Sequence, residues 1–367
     1  MTQPHDGQHL DRARTEFRLG ELFSGPGGIV LGATSARISD PAYRIVHQWS
    51  NDYDADTCRT YATNITGDPE HPSVVHGDVR TLDYDRLADL GDIDGLAFGF
   101  PCNDFSQVGE RRGLEGTYGP LYSYGIKALE RFQPAFFVAE NVGGLASSRQ
   151  RQAFERILAD MRGAGYRITP HLYRFEQYGV PQARRRIIIV GIRQDLDVEF
   201  TVPSPEPYAD VDVSVRTALA GIPADATHQE LTRQSAAVVE RLKLIQPGQN
   251  AFTAQLPPRL QIKTKTQISQ IYRRLHPDLP SYTVTGSGGG GTHVYHWDQP
   301  RALTNRERAR LQTFPDWFQF VGSKESVRKQ IGMAVPVAGA RVIFEAILMC
   351  FAGEDYPGIE PSFTDAG

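Results

Sequence analysis

The stretch RLGELFSGPGGIVLGA, residues 18–33, joins an apolar run to a glycine-rich turn and then to a second apolar run. This order predicts a β-strand, a tight turn and a helix, the unit that begins an open, doubly wound α/β sheet. Glycines let the turn approach a ligand closely, and the helix N-terminus offers free N–H groups. The spacing of Gly25 and Gly27 is not the dinucleotide fingerprint, so the turn allows a bound cofactor without specifying a pyrophosphate.

The first half of the chain repeats this alternation of apolar runs and helical patterns. The predicted strands are residues 18–23, 43–49, 95–100, 135–139 and 186–192, and the predicted helices are residues 121–132 and 152–161. Strands that alternate with helices form mostly parallel sheets covered by helices on both faces. The sequence therefore predicts an α/β fold, a doubly wound sheet, accompanied by a second, smaller domain.

Composition predicts a soluble protein without a metal. The chain has 367 residues, of which 40% are apolar, so it can bury a large core and form two domains. It has no run of 18 apolar residues and begins with a polar segment, so we expect no membrane span, no signal peptide and a cytoplasmic location. The three cysteines, Cys58, Cys102 and Cys350, are too far apart and too few for a disulfide framework or a zinc site.

Positive charge is concentrated in one part of the chain. The net charge is −4, but residues 241–277 contain seven Lys and Arg residues and no Asp or Glu. A surface of this sign suits contact with a phosphate backbone. The alternative is an ordinary solvated basic face.

The sequence divides into three parts. Residues 1–16 are a polar tail, residues 17–200 and 318–352 are expected to form one discontinuous domain, and residues 201–317 a second one. The second part contains TGSGGGGTH, residues 285–293, with five glycines in nine residues. Such a segment is either a passive spacer or a backbone that approaches another molecule closely.

Cys102 lies in GFPCNDFSQ, directly after a predicted strand. Open α/β sheets bind their ligands at this edge, where a thiol near cations can become a thiolate nucleophile. A buried cysteine used only for packing is the alternative. The following loop contains four glycines together with Arg111 and Arg112, a composition that suits a lid closing on an anion.

Five further charged residues lie at the ends of predicted strands. Glu140 ends the apolar strand of FFVAENVGGL, where a carboxyl group that keeps its proton could donate to a ring nitrogen. Arg184 and Arg186 alternate into the last strand of the domain and so share one face. Asp52 is placed to accept hydrogen bonds from ribose hydroxyls, and Asp78 from an adenine amino group. Each aspartate alone could equally be a helix cap or a turn residue.

Together these segments resemble the C5-cytosine DNA methyltransferases. Six blocks follow that family's motif order: FSGPGG, GFPCNDFS, AENV, PQARRR, RALTNRERARLQTFPD and QIGMAVPVAGARVI. The resemblance implies the sheet of AdoMet-dependent methyltransferases, S-adenosyl-L-methionine (AdoMet) as methyl donor, and a target recognition domain within residues 201–317. Six motifs in order are far more specific than any one of them.

The resemblance also implies a role for each matched residue. A flipped cytosine would be attacked at C6 by Cys102 while Glu140 contacts N3, and Arg184, together with Arg186, would hold O2. The residues matched to the cofactor site are Phe23, Gly25, Gly27, Asp52, Asp78, Val79 and Leu121. Asn103 stands where the family often has Gln, and Met333 stands where it usually has Asn.

The variable region is expected to read double-stranded DNA. Arg273 and Arg274 would contact phosphates or guanine edges, and Gly288, Gly289 and Gly290 would bring the backbone to the target bases. The same resemblance suggests a monomer with a cognate restriction endonuclease acting on the same site. The alternatives are a tRNA cytosine methyltransferase of the same fold, a non-catalytic DNA-binding protein with a decayed methylase fold, and an unrelated dinucleotide oxidoreductase.

Overall fold

The computed structural model describes residues 15–100, 121–147, 150–262 and 268–363. At its centre is a seven-stranded sheet in the order β3-β2-β1-β4-β5-β8-β6. The strands of this sheet are β1 (Glu16–Leu22), β2 (Arg44–Asp52), β3 (Val74–His76), β4 (Gly95–Gly99), β5 (Phe136–Val142), β6 (Tyr166–Arg174) and β8 (Arg185–Arg193). The doubly wound α/β class predicted from the sequence is confirmed.

The order of the strands determines where a ligand can bind. Neighbouring strands from β3 to β5 are parallel, whereas β8 runs antiparallel to both β5 and β6. The chain moves outward from β1 to β2 and β3, then returns to the other side of β1 to form β4. This reversal leaves a crevice at the carboxyl ends of β1 and β4, which is where open α/β sheets bind ligands.

Helices cover the sheet and continue beyond it. Their bounds are α1 (Gly28–Ser35), α2 (Ala55–Ile65), α3 (Tyr84–Asp89), α4 (Leu121–Phe132), α5 (Arg151–Gly163), α6 (Val215–Leu219), α7 (Ala236–Leu244), α8 (Asn305–Leu311), α9 (Lys324–Met333) and α10 (Val337–Ala352). A capping box begins α8, because the Thr304 side chain accepts from the Glu307 N–H and the Glu307 carboxylate accepts from the Thr304 N–H.

The region between β8 and α8 contains little regular structure. Besides α6 and α7, its described residues form two strands of two residues each, β9 (Val202–Pro203) and β10 (Ser281–Tyr282). Strand β10 pairs in parallel with β7 (Gln182–Ala183), and β9 pairs with β11 (Gly358–Ile359). The β7–β10 pairing attaches this region to the chain immediately before β8.

The last long helix, α10, packs against strands β1 and β5 of the sheet and against helix α1. The rings of Phe344 and Phe351 in α10 lie 6.3 and 5.9 Å from the ring of Phe136, and Phe351 lies 4.9 Å from Phe17. Helix α1 crosses α10 at Gly32, where a Cβ atom would lie 2.6 Å from the Ala340 side chain. The close helix contact therefore requires a glycine at this position.

The segment Lys324–Ala352, which contains α9 and α10, is long and apolar enough to cross a membrane by length and composition alone. However, 67% of its most apolar window is buried inside the protein. Burial of this extent is typical of a core helix and agrees with the packing of α10 on the sheet.

We expect Gly32→Ala to lower the free energy of unfolding by about 1–3 kcal/mol, because the new methyl group overpacks the α1–α10 contact. Gly163→Ala is the matched control, since a Cβ atom at Gly163 meets nothing within 4 Å. The control should leave stability unchanged or raise it by up to about 1 kcal/mol. Urea denaturation measures both, and equal stability of the two variants would contradict the described packing.

Candidate active site

The turn after β1 has a backbone shape that few residues adopt. Gly25 and Gly27 have φ angles of 57° and 96°, and Phe23, which has a side chain, has φ 54°. A non-glycine residue in this region stores strain and is enriched at functional sites. A Cβ atom at Gly25 would meet nothing within 4 Å, so open space lies in front of the turn.

Asp52, the last residue of β2, holds this turn in place. One carboxylate oxygen accepts from the Gly25 N–H at 2.9 Å and the other from the Asp54 N–H at 3.0 Å. Burial raises the pKa of Asp52, although these backbone hydrogen bonds oppose the shift. The carboxylate predicted to accept ribose hydroxyls thus lies at the edge of the glycine turn, inside the crevice.

The other predicted cofactor residues follow β3 and begin α4. Val79 and Leu121 are buried apolar side chains. The Asp78 carboxylate accepts from the Arg80 guanidinium at 3.0 Å, and these hydrogen bonds lower the pKa of Asp78. Asp78 also caps the turn that follows it by accepting from the Arg80 N–H. An adenine amino group would bind to a carboxylate that already has this structural role.

Two exposed side chains beside this crevice were not identified from the sequence as site residues. Lys329 of α9 donates to the Tyr53 hydroxyl at 3.1 Å, and its ammonium group lies 3.8 Å from the Asp54 carboxylate. Met333, one helical turn further along, is 51% exposed. The Met333 side chain therefore does not contribute to the core. Its neighbour in the last motif, Gly332, is buried.

Glu140 and Arg186 form an ion pair at the ends of β5 and β8. Arg186 Nε lies 2.6 Å from Glu140 Oε1, and both side chains are about seven-eighths buried. The contact is a charge pair rather than a directed hydrogen bond, because the Nε–H group has no acceptor in line. Gly99 of β4 lies opposite Glu140, and a Cβ atom there would be 3.2 Å from the Glu140 carboxylate.

Asn141, the next residue, ties β5 to the chain that leaves β4. Its side-chain amide donates to the Phe100 carbonyl at 2.9 Å, and both residues are buried. Sequence reasoning gave Asn141 no role, although it lies within the AENV motif. Cys102, Arg111 and Arg112 lie outside the described residues, so their predicted roles stay predictions.

Arg184 is fully buried and does not pair with Glu140. Its Nη1 donates at 3.2 Å to two backbone carbonyls, those of Val284 and Gly332, and its Nε has no partner. Burial and the charge of Arg186 lower the pKa of Arg184 to about 9. The two arginines that share a face in the sequence thus have different surroundings, and only Arg186 contacts the carboxylate.

Gln182 and Gln312 extend the contacts of Arg184 into a buried cluster. The Gln182 side chain accepts from the Val284 N–H at 2.8 Å and donates to the Gln312 side chain at 2.9 Å. Gln312 in turn donates to the carbonyls of Ile331 and Ala334.

We call Gln182, Arg184 and Gln312 the polar cluster. It joins the strand end before β8 to the glycine loop (residues 285–293) and to the end of α9. Gln182 is the second residue of PQARRR, a position for which the sequence gave no role.

The two arginines predicted to contact DNA differ in exposure. Arg274 is 6% exposed, and its guanidinium donates to the carbonyls of Leu242, Ile245, His296 and Trp297. These bonds occupy the Arg274 guanidinium inside the protein, and its predicted contact with phosphates or guanine edges stays a prediction. Arg273 is half-buried with its guanidinium over the Tyr282 ring at 4.6 Å.

The glycines of the glycine loop serve different purposes. A Cβ atom at Gly291 would lie 2.8 Å from the Tyr272 ring, and one at Gly288 would overlap the Arg328 guanidinium. These two glycines make room for neighbouring side chains. Gly289 and Gly290 instead have φ angles of 139° and 54°, are exposed, and have open space around them.

Comparison with known proteins assigns the family. Residues 17–349 match the family model of C-5 cytosine-specific DNA methylases. The chain belongs to this family. It is therefore a DNA (cytosine-5-)-methyltransferase, as the six motifs predicted, and this membership favours DNA over the tRNA alternative.

Relatives of this methyltransferase match along nearly the whole chain. It is 56% identical over 354 residues to the type II methyltransferase M.BbvI of Brevibacillus brevis, covering 94% of each protein. It is 38% identical to the type II methyltransferase M.NgoFVII of Neisseria gonorrhoeae, covering 94% of this chain and 90% of the relative. The fold is similar to that of a prophage-encoded E. coli DNA modification methyltransferase, with TM-score 0.69, 24% identity, and coverage of 92% and 99%.

We expect Arg184→Lys in this methyltransferase to increase amide hydrogen exchange in residues 284–291 by at least about tenfold. A lysine side chain is shorter and cannot donate from a planar fork, so it cannot hold both carbonyls. Arg185→Lys is the matched control, because Arg185 is exposed on the other face of the strand. Hydrogen exchange with mass spectrometry checks this, and unchanged exchange in the glycine loop would show that Arg184 does not hold it.

Proposed function

We propose that the protein methylates C5 of one cytosine within a specific double-stranded DNA sequence, through a covalent adduct between Cys102 and C6. The observation that supports this most is the Glu140–Arg186 pair, 2.6 Å apart at the ends of adjacent strands. Gly99, which packs against Glu140, precedes Cys102 by three residues. A nucleophile, a group that contacts N3 and a cation would then meet at one edge of the sheet.

The chemistry requires the cytosine to leave the DNA duplex, because a stacked base exposes neither ring face to a thiolate. The Cys102 thiolate would form a bond to C6, and the electron pair of the C5–C6 double bond would move onto C5. A hydrogen bond between Glu140 and N3 would favour this step by stabilising the charge that develops on the ring. C5 then becomes the nucleophile for methyl transfer.

The adduct must afterwards break down without loss of the new methyl group. When bound, AdoMet supplies a methyl group attached to a positively charged sulfur, which is a good leaving group. After C5 has accepted this methyl group, the proton on C5 leaves to a base. The electron pair of that C–H bond re-forms the double bond and expels the Cys102 thiolate, so the enzyme is regenerated.

The two arginines would support this reaction in different ways. Arg186 is the one beside Glu140, so we assign it to orienting that carboxyl group and the cytosine O2. Arg184 donates to backbone carbonyls, so we assign it to fixing the strand end that carries Arg186. The resemblance assigned both arginines to O2, whereas these assignments give Arg184 and Arg186 different roles.

The crevice at the ends of β1, β2 and β4 fits AdoMet. Open space in front of Gly25 suits close approach of a ligand, and Asp52 places a carboxylate beside it. We propose that Phe23, Gly25, Gly27 and Asp52 hold the methionine and ribose portions. Asp78, Val79 and Leu121 would form the adenine side of the same site.

We also propose a restriction–modification role. Both relatives described above are named type II methyltransferases, and such enzymes protect host DNA at one sequence. A cognate endonuclease acting on that sequence would be the partner. Monomeric action in the cytoplasm would be sufficient, since one chain carries every catalytic motif.

Expression of the protein in a host without this modification, followed by bisulfite sequencing of its DNA, tests the proposed function. We expect methylated cytosines within one short sequence and none with Cys102→Ser, because an alcohol is a far weaker nucleophile than a thiolate. Glu140→Gln should reduce the rate by about 10²–10⁴-fold. An unmodified genome with folded, AdoMet-binding protein would contradict the proposal, and methylated tRNA from the same cells would redirect it to RNA.

Asp52→Ala should weaken AdoMet binding by at least about tenfold, equivalent to 1.4 kcal/mol. The substitution removes the proposed ribose acceptor and also the group that holds the Gly25 N–H. Glu70→Ala, at an exposed site on a different loop, is the control of equal charge change. Isothermal titration calorimetry measures both affinities. Unaltered binding by the Asp52 variant would remove this residue from the cofactor site.

A further inference from the structure

Cationic side chains gather beneath the glycine loop, on a face that the proposed catalytic steps do not use. Arg308 of α8 is 1% exposed, and Arg328 of α9 is 11% exposed. The Arg328 guanidinium fills the space that a side chain at Gly288 would occupy. Burial, and then the charge of Arg328, lower the pKa of Arg308 to about 10.

Carboxylates do not balance this charge among the described residues. Glu307, on the same helix as Arg308, is occupied by Arg301 through two contacts of 2.7 Å and by the Thr304 N–H. Glu325 lies 3.8 Å from Arg328 and is 71% exposed, so water screens that pair strongly. The cluster therefore carries an uncompensated positive charge.

Hydrogen bonding of the two guanidinium groups is also incomplete. Arg328 Nε is shielded from solvent and has no hydrogen-bond partner in the described structure. Among the described residues, Arg308 donates to the Thr285 carbonyl at 3.3 Å and lies 3.5 Å from the His293 ring nitrogen. A buried cation with weak partners is costly, and an anion placed nearby would remove that cost.

The same positive charges act on His293, which lies beside Arg308. Burial, Arg308, Arg328 and Lys324 together lower its pKa to about 4, so the imidazole is neutral at physiological pH and adds no charge. The tip of the loop, Gly289 and Gly290, is exposed and free of neighbouring side chains. An anion can therefore approach the rim of the cluster from the solvent side of the loop.

We infer that Arg328, with Arg308 behind it, binds a phosphate of the DNA backbone beside the tip of the glycine loop. This inference rests on the proposed function, since it names a contact for the DNA substrate. Arg328 is the residue that touches the phosphate, and Arg308 holds the Thr285 carbonyl while adding to the field. The phosphate supplies the counter-charge that the described residues lack.

The site differs from the DNA contacts predicted from the basic stretch. Residues 241–277 carry many positive charges, yet the Arg274 side chain within this stretch is buried and donates to backbone carbonyls. Arg308 and Arg328 belong instead to α8 and α9, two helices that come after the basic stretch in the chain. A phosphate bound there would fix the DNA backbone against the same helix, α9, whose Gly332 contacts Arg184.

The test is the salt dependence of DNA binding by the full-length protein. Fluorescence anisotropy with a labelled mixed-sequence duplex of about 30 base pairs gives the dissociation constant at several NaCl concentrations. Loss of one phosphate contact lowers the slope of log K against log salt by about 0.9 in magnitude. We expect that loss for Arg328→Gln, with at least about threefold weaker binding at low salt. Arg328→Lys, which keeps the charge, should retain the slope.

Two further variants make the result specific. Arg341→Gln has the same charge change on α10, where Arg341 lies 3.7 Å from Glu345, and should leave the slope unaltered. Glu325→Gln removes the nearest carboxylate from an exposed position, so it should fold normally and tighten binding by about twofold. The Glu325 variant tests the inference even where Arg328→Gln does not fold.

The outcomes separate this inference from the proposed function. Wild-type protein that binds no duplex would contradict the proposed function itself. Wild-type protein that binds, with an unchanged slope for Arg328→Gln or an equal loss for Arg341→Gln, would overturn only the phosphate site. Unchanged AdoMet affinity in all variants is the expected control for an intact catalytic domain.

Discussion

A buried guanidinium without an ion pair in the described structure connects the parts of this methyltransferase. Arg184 is removed from water, which is costly for a charge, and its Nη1 is satisfied by the carbonyls of Val284 and Gly332. One carbonyl begins the glycine loop and the other ends α9, while the arginine itself lies two residues before Arg186. The geometry of the glycine loop, the last motif and the Glu140–Arg186 ion pair therefore depends on a single side chain.

Much of the sheet could be predicted because the spacing of apolar residues and the positions of glycines determine strands, helices and turns locally. Five strands and two helices fell within a few residues of their predicted bounds, including α4 at Leu121–Phe132. Strand β6 was missed, because TPH interrupts its apolar pattern and its pairing with β8 is a long-range property. The crevice followed from the glycine turn, but the bond between Asp52 and Gly25 joins residues 27 apart and required the structure.

Arginines show why the site could be predicted only in part. Arg186, Arg184, Arg274 and Arg328 look alike in a sequence, yet one pairs with a carboxylate, two bind backbone carbonyls and one lies under a glycine. Charge density along the chain selected Arg274, whose surroundings are apolar and carbonyl-rich. The deciding variable is which segments surround a side chain after folding, and those segments are distant in the sequence. Motif order grouped Arg186 with Glu140, and the two lie 2.6 Å apart in the structure, because such an order reflects a long-range arrangement indirectly.

The contact between α1 and α10 has a consequence for how the enzyme matures. Helix α10 ends at Ala352, close to the end of the chain, yet it packs on the helix that follows the cofactor turn. Helix α10 follows α1 late in the chain, so during synthesis the apolar surface of α1 stays uncovered until α10 has been made. A fragment that stops before α10 would therefore lack this cover for α1, even though it retains the Pro-Cys motif.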